Sequence, residues 1–431
     1  MICDNLKIND NTLYFGEHDV RTLAKKYGTP LYVMDEDRIR KNMRTYKNAM
    51  EKYFGNGSMP LFASKAASFK QIYRIANEEG IGTDVVSPGE IYTAVSAGFP
   101  MEKAYFHGNN KTDSDIEFAM DSKIGYFVAD NAEEIEAIDA KAAQRGLRQK
   151  ILIRLTPGID PHTYEAVSTG KVDSKFGSAI ATGAADEITR LALSKKNIEL
   201  CGFHCHVGSQ VFDSEVYLAA AEIMLGFIAH AKKEYSYDAK ILNLGGGYGV
   251  RYTEADPHIN IEENIKHVAE RMRKMCDNLG ICMPSVRMEP GRSIVADAGL
   301  TLYTVGSVKR IPGYKNYVST DGGMTDNPRF ALYKSAYTII AANKAGERCG
   351  FNCSVVGRCC ESGDIIGENI PLPESIQRGD ILAVLTTGAY NYAMSSNYNR
   401  VGRPPIIMLK GKEDYTVVKG ESFEDIARND L

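Results

Sequence analysis

Eight short apolar runs, each followed by a longer amphipathic stretch until the last, recur between about residues 60 and 290; no other feature limits the fold so strongly. The runs lie at 61–63, 82–86, 104–107, 126–128, 151–155, 200–204, 241–244 and 286–289. Helical patterns separate them at 67–79, 90–97, 114–121, 132–144, 184–193, 214–234 and 261–279. Alternation at this spacing implies parallel strands joined by crossover helices. Eight such units favour an α/β fold closed into a (β/α)8 TIM-type barrel over an open, doubly wound sheet. Lys65, Asp84, His206, Gly245–Gly247 and Glu289 all lie at or near the ends of these runs, where barrels gather functional groups.

The flanks read differently. Residues 1–35 suggest a short strand region, a helix over 19–28 stopped by Gly28, and a strand at 30–34. After about residue 300, short β-rich runs at 302–305, 317–320, 353–356, 380–385 and 406–409 are separated by Gly and Pro. The expected organisation is a barrel over 36–290 and a mostly antiparallel, β-sandwich-like domain from 291–431, completed by 1–35. A length of 431 residues exceeds one ordinary core and accommodates both.

Charge and cysteine content narrow the setting. With 55 acidic and 51 basic residues the net charge is −4, so nucleic acid is not an expected partner. Nine cysteines, an odd number in a long chain, point to a reducing, cytoplasmic location rather than a disulfide scaffold. The start Met1-Ile2-Cys3-Asp4-Asn5 lacks the features of a signal peptide. The most apolar stretch, 219–231, is interrupted by Glu222, and no membrane association is expected.

Three motifs carry the chemistry. Lys65, in Phe62-Ala63-Ser64-Lys65-Ala66, follows an apolar strand, where partial desolvation would favour imine formation; taken alone it reads as an ordinary snorkelling lysine. Gly245-Gly246-Gly247 follows a strand and could point several N–H groups at a phosphate, though a tight turn has the same signature. The spacing is not that of a dinucleotide fingerprint, and Gly170-Lys171-Val172 is not a Walker A sequence. Glu289-Pro290-Gly291-Arg292 sets a carboxylate beside a cation: the acid suits a pyridinium nitrogen, the arginine a substrate carboxylate, and a surface ion pair is the plain alternative. An amine, a phosphate cradle and an acid together describe a pyridoxal phosphate pocket.

Other signals are weaker. His204-Cys205-His206 with Cys201 has metal-like spacing, and alternation would turn His204 and His206 to one face. A second Cys/His cluster is wanting, so no metal is expected, and His206 is read as stacking on a cofactor ring with Ser209 reaching a phosphate. Cys359-Cys360 and Tyr390 have ordinary readings as a buried thiol beside a functional one, and as a rim tyrosine.

Phe62–Ala66, Ser87-Pro88-Gly89-Glu90, 202–209, Asn243–Gly247, Glu289–Arg292, Cys360-Glu361-Ser362 and Gly388-Ala389-Tyr390 together resemble the alanine-racemase-like (fold type III) pyridoxal phosphate decarboxylases. Within that group they are most similar to the diaminopimelate decarboxylases. The resemblance implies that Lys65 carries the cofactor aldehyde and His206 stacks on the ring. It gives the phosphate to Ser209, Gly245, Gly246, Gly247 and the loop around Gly291, helped by Tyr390, and it sets Glu289 on the ring nitrogen. Asp84 and Glu90 support the pocket. Arg292, Arg329, Tyr333, Glu361 and Tyr390 hold the substrate, and Cys360 acts near the reacting carbon. It further implies a homodimer in which Cys360 and Glu361 serve the partner's site. Residues 171–177 resemble a mobile active-site loop, while 321–329 and Gly357-Arg358-Cys359-Cys360 depart from the family pattern.

The implied reaction converts meso-2,6-diaminopimelate to L-lysine and CO2, the last step of lysine biosynthesis. Decarboxylation of ornithine, arginine or carboxynorspermidine, racemisation, and non-catalytic binding of the cofactor are the competing readings.

Overall fold

The computed structural model describes residues 2–55, 57–159 and 174–431. Its contacts divide the chain into two compact units. One comprises Asn42–Gly249 and His258–Gly291, the other Met1–Lys41, Val250–Pro257 and Arg292–Leu431. The short segment Val250–Pro257, which the sequence reading runs through the barrel, belongs by its contacts to the second unit.

The first unit is a closed parallel barrel. Its strands are β1 (Met59–Ala63), β2 (Gly82–Val85), β3 (Ala104–Phe106), β4 (Tyr126–Ala129), β5 (Gln149–Thr156), β6 (Ile198–His204), β7 (Ile241–Asn243) and β8 (Ser285–Met288). Each pairs in parallel with the next, and β8 returns to β1 with Arg287 opposite Met59. All eight expected strands are therefore present. The helices α1 (Lys70–Glu78), α2 (Pro88–Ser96), α3 (Asp113–Asp121), α4 (Ala132–Gln144), α5 (Ala184–Ser194), α6 (Ser214–Tyr235) and α7 (Ile261–Leu279) follow β1 to β7 in turn.

Short polar residues start most of these helices. The side chains of Ser87, Thr112, Asn131, Asp213 and Asn260 accept N–H groups that the first turn leaves unpaired. Leu61, Tyr105, Val128, Leu152, Cys201 and Ile241 fill the barrel with apolar bulk. The Tyr105 ring stacks on Tyr126 at 4.3 Å and its hydroxyl accepts a hydrogen bond from Arg287 Nε at 3.1 Å. Among the described helices, α6 is long and apolar enough to cross a bilayer, but Leu218, Ala221, Leu225 and Ile228 are buried, as a barrel helix requires.

The second unit is a mixed sheet around one long strand, Gly299–Arg310. Its first half pairs with Leu31–Asp35 and Ile381–Leu385, and its second half with Asn316–Thr320. The N-terminal segment thus completes the unit, with Leu31–Asp35 lying inside the sheet between Gly299–Arg310 and Ile406–Lys410. Pairing is mostly antiparallel, as expected, with two parallel pairs: Leu31–Asp35 with Ile406–Lys410 and Asn316–Thr320 with Cys349–Val356. Two apolar clusters support it, one around Leu13, Phe15 and Leu302, the other around Tyr303, Phe351 and Val384. The 18-residue helix Glu36–Tyr53 was not anticipated from the sequence.

Candidate active site

Four barrel strands deliver the central carboxylate and its donors. Glu289 follows β8; Asn243 ends β7, His204 ends β6, and His107 follows β3. Asn243 Nδ2 donates to Glu289 Oε1 at 2.7 Å. His107 Nε2 lies 2.8 Å from the same oxygen, and His204 Nε2 lies 3.3 Å from Oε2. All four side chains are buried. Burial alone would push the Glu289 carboxyl up, but the charges that His107 and His204 take on at acid pH, together with their hydrogen bonds, override it and hold the group well below its usual range. Burial also keeps the imidazoles neutral, with His204 lowered to about 4.

Asp84, inside β2, is the opposite case. Burial and the neighbouring Glu289 charge push it well above the usual carboxylate range, against the pull of Lys65. It accepts the Ser64 N–H at 3.2 Å. Glu90 accepts Ser64 Oγ at 2.6 Å and the Val86 N–H at 2.7 Å, and burial raises it too. Two acids thus fix the turn Ser64–Ala66 that presents Lys65. Lys65 itself is exposed, so the expected partial desolvation is corrected: the short turn swings its side chain off the strand and out of the packed interior.

The loop after β6 packs on the glycine run. A Cβ on Gly245 would lie 2.6 Å from Cys205 O, and one on Gly247 would lie 2.3 Å from Gly208 O; their φ values are +70° and +117°. Both positions therefore require glycine. The Gly245 N–H donates to Asn243 Oδ1 at 2.9 Å and the Gly246 N–H to His206 Nδ1 at 3.3 Å. Two of the three amides expected to face a phosphate are thus engaged within the chain, and among the described residues only the Gly247 amide of the three lacks an acceptor. Gly291 is buried, where a Cβ would meet Ala63 Cβ at 2.8 Å and Ala66 Cβ at 3.1 Å, on either side of Lys65.

His204 and His206 do not act alike. β6 ends at His204, so strand alternation stops there; His204 turns to Glu289, while half-buried His206 turns to the glycine run. Burial, then the Lys65 charge, lowers the His206 imidazole well below its usual value. Ser209 is half-buried beyond Gly208. Cys201 packs inside the barrel, away from any metal-like grouping with these histidines. Among the described residues, the grouping with such geometry is instead His107, His204 and Glu289, whose ligand atoms lie within 4.8 Å of one another.

In the second unit two buried arginines meet. Arg292 Nη1 and Arg329 Nη1 both donate to the Tyr252 hydroxyl, the latter at 3.0 Å, and Arg329 Nη1 also donates to Tyr337 OH at 2.8 Å. The Tyr390 ring centre lies 4.8 Å from the Arg292 guanidinium carbon and 5.9 Å from that of Arg329, within cation–π range. Burial opposes the Arg329 charge; the neighbouring phenols Tyr252 and Tyr337, ionised at the alkaline pH where a guanidinium titrates, raise its pKa. Tyr333 ends the same short helix as Arg329 and is exposed.

The two segments expected to depart from the resemblance, 321–329 and 357–360, are tied together by one carboxylate. Asp364 Oδ1 accepts the Met324 N–H at 2.6 Å and Asp364 Oδ2 the Cys359 N–H at 2.7 Å. It ties 322–324 to 357–359, and a Cβ on Gly323 or Gly357 would lie 2.3 Å from its Oδ1. Pro328 directly precedes the helix Arg329–Tyr333, which suits Asn327-Pro328 to this position. Cys359 is half-buried, its thiol pushed up to about 11 by burial and the Asp364 charge. Cys360 is exposed, with its N–H on Asn399 Oδ1 at 3.1 Å, and Glu361 is exposed as well. Lys171, Val172 and Asp173 of the expected active-site loop lie outside the described residues.

His107, Asn243, Tyr252 and Tyr337 were not singled out from the sequence for these roles. Asn243 lies inside the motif Asn243–Gly247 and His107 closes the apolar run 104–107, but neither position announces a partner.

Residues 36–296 match the family described as "Pyridoxal-dependent decarboxylase, pyridoxal binding domain". The chain is 44% identical to the diaminopimelate decarboxylase of Bacillus subtilis, over 97% of this chain and 95% of the relative. It is similar to the crystal structure of the M. jannaschii diaminopimelate decarboxylase in complex with L-lysine: TM-score 0.92, 32% identity, 99% of this chain and 98% of the other. The Helicobacter pylori diaminopimelate decarboxylase complexed with L-lysine gives a TM-score of 0.86 at 30% identity, over 95% and 98%. The chain therefore belongs to the diaminopimelate decarboxylase family.

Proposed function

We propose that this protein decarboxylates meso-2,6-diaminopimelate to L-lysine and CO2, the last step of lysine biosynthesis, with pyridoxal phosphate as cofactor. The observation that carries the choice of substrate is Arg329. Its guanidinium is buried, its hydrogen bonds go to two phenols, and no carboxylate pairs with it among the described residues. A substrate with a second carboxylate supplies that partner; a simple basic amino acid does not. The L-lysine bound to two solved relatives supports lysine as the product.

The barrel residues fit pyridoxal phosphate: an exposed amine, a buried carboxylate held ionised, and a glycine amide without an acceptor among the described residues. Lys65 would hold the aldehyde carbon, Glu289 the ring nitrogen and His206 a ring face. Gly247, Ser209 and the backbone around Gly291 would hold the phosphate, with Gly245 and Gly246 shaping the loop. When bound, the cofactor supplies the electron sink for the carbanion left as CO2 departs. His107, His204 and Asn243 keep Glu289 charged so that it holds a proton on the ring nitrogen. Arg292, Arg329, Tyr333, Tyr390 and Glu361 orient the substrate's two amino-acid ends. One proton is then delivered to the reacting carbon, by the Cys360 thiol, the Lys65 amine or a water.

We infer a homodimer in which Cys360 and Glu361 complete the partner's site; both are exposed, which supports this arrangement. All nine cysteines are free, which supports a cytoplasmic location. CO2 release by the cofactor-loaded protein should be seen with meso-diaminopimelate and not with ornithine, arginine or carboxynorspermidine. Lys65→Ala and Cys360→Ala chains, each inactive alone, should recover about a quarter of the activity when mixed, from one intact site per mixed dimer. Turnover of another substrate instead would refute the assignment, and failure to complement would refute the shared site.

A further inference from the structure

We propose that Tyr252 is a specificity-determining residue. Its hydroxyl joins Arg292 and Arg329 into one receptor for a substrate carboxylate, and its own O–H donates to that carboxylate. The proposal deepens the functional reading above and rests on it for the identity of the ligand.

A phenol oxygen offers two lone pairs and one proton. In Tyr252 both lone pairs are engaged, one by each guanidinium, and among the described residues the proton has no acceptor. Two cations converging on one neutral oxygen repel each other, and an anion received there relieves that repulsion. The phenol is also firmly placed. Thr338 donates to the Tyr252 carbonyl from its N–H at 3.1 Å and from its Oγ1 at 2.8 Å. Asp256 Oδ2 accepts the N–H groups of Tyr252 and Thr253 at 2.9 and 2.8 Å. The Tyr337 ring packs edge-on at 5.1 Å. With its backbone anchored on both sides and a ring packed against the phenol, Tyr252 fixes the spacing of the two arginines instead of following them.

Tyr252→Phe removes the hydroxyl and little else. Two readouts are needed: calorimetric titration with pimelate, the seven-carbon dicarboxylate without amines, and steady-state kinetics with meso-diaminopimelate. The variant should bind pimelate about 10- to 100-fold more weakly and show a similar rise in KM, with a smaller change in kcat and an unshifted cofactor absorbance band. A pimelate Kd and KM within about twofold of the parent overturn the proposal, as does a parent protein that does not bind pimelate. Should Tyr252→Phe not fold, Thr338→Val removes the Oγ1 bond to the Tyr252 carbonyl and so loosens the residue through its backbone; a severalfold weaker pimelate Kd then supports the proposal and an unchanged one overturns it. A parent that binds pimelate but releases no CO2 from diaminopimelate refutes the reaction, and the pimelate titration still decides the role of Tyr252.

Discussion

The surroundings of Glu289 and of Arg329 both bury a charge, and they treat it in opposite ways. Glu289 is an anion held by neutral donors: the Asn243 amide and two imidazoles that burial keeps uncharged. Its charge is solvated inside the protein, and nothing from outside is needed to settle it. Arg329 is a cation held by neutral acceptors, the phenols of Tyr252 and Tyr337, with a second cation, Arg292, on one of those oxygens. There the like charges accumulate. A buried charge is costly unless paired, so the first arrangement preserves a protonation state and the second calls for a ligand of opposite sign.

Removing one charge from each region should therefore act with opposite sign on the stability of the free protein. The larger effect belongs to Glu289→Ala. It strips the acceptor from Asn243, His107 and His204 at once, inside a packed barrel end. A loss of about 3–5 kcal/mol is expected in urea unfolding, typical of truncating one member of a buried polar network. A variant as stable as the parent would show that the donors find other partners and that the contrast is false.

How these regions were encoded explains which of them could be read in advance. The barrel strands and α1 to α7 follow from periodicity, a local property, and their bounds lie close to the expected ones. Helix Glu36–Tyr53 has Ile39, Met43, Tyr46 and Met50 at helical spacing and buried, but it begins in the charged stretch Asp35–Arg40 and has no apolar run to mark it. Lys65, Glu289 and the glycines sit at strand ends and carry their chemistry in the local sequence. Tyr252 does not. It meets Arg329 across 77 positions, and nothing near either residue names the other. The same holds for His204 and Glu289, 85 positions apart; His204 drew attention only as half of a His-Cys-His run. The exposure of Lys65 was misjudged because a three-residue turn, not the preceding strand, sets its direction.

The pH dependence of stability sharpens the account of Glu289. His204 is lowered from 6.5 to about 4. As pH falls below 6.5 the unfolded chain takes a proton that the folded protein refuses until about pH 4, so stability is full above 6.5 and is lost over that window. The loss amounts to roughly 3 kcal/mol. Glu289, held below 4.5, adds a further loss as pH falls through its own lower value. His204→Asn keeps an N–H donor but does not titrate. Its stability difference between pH 7.5 and 4.5 should be smaller than the parent's by roughly 2–3 kcal/mol in paired urea titrations. Equal differences would mean that His204 takes its proton in the folded state too, and that Glu289 is held by charge as well as by neutral donors.

The smallest effect is the most diagnostic, because its sign is unusual. Arg329→Met removes a buried cation and leaves no orphaned partner. The Tyr252 hydroxyl keeps the donation from Arg292, and the Tyr337 hydroxyl keeps Asn391 Nδ2 at 3.4 Å. Methionine fills a similar length without a desolvation penalty, and the repulsion between the two guanidiniums disappears. The free protein should gain about 1 kcal/mol, read as a higher Tm, while pimelate binding is lost. A gain in stability bought by a loss of binding is the mark of a site built around an absent counter-charge. A loss of more than about 1 kcal/mol would show instead that the bonds from Arg329 to the phenols hold the fold together, and would put Arg329 in the same class as Glu289.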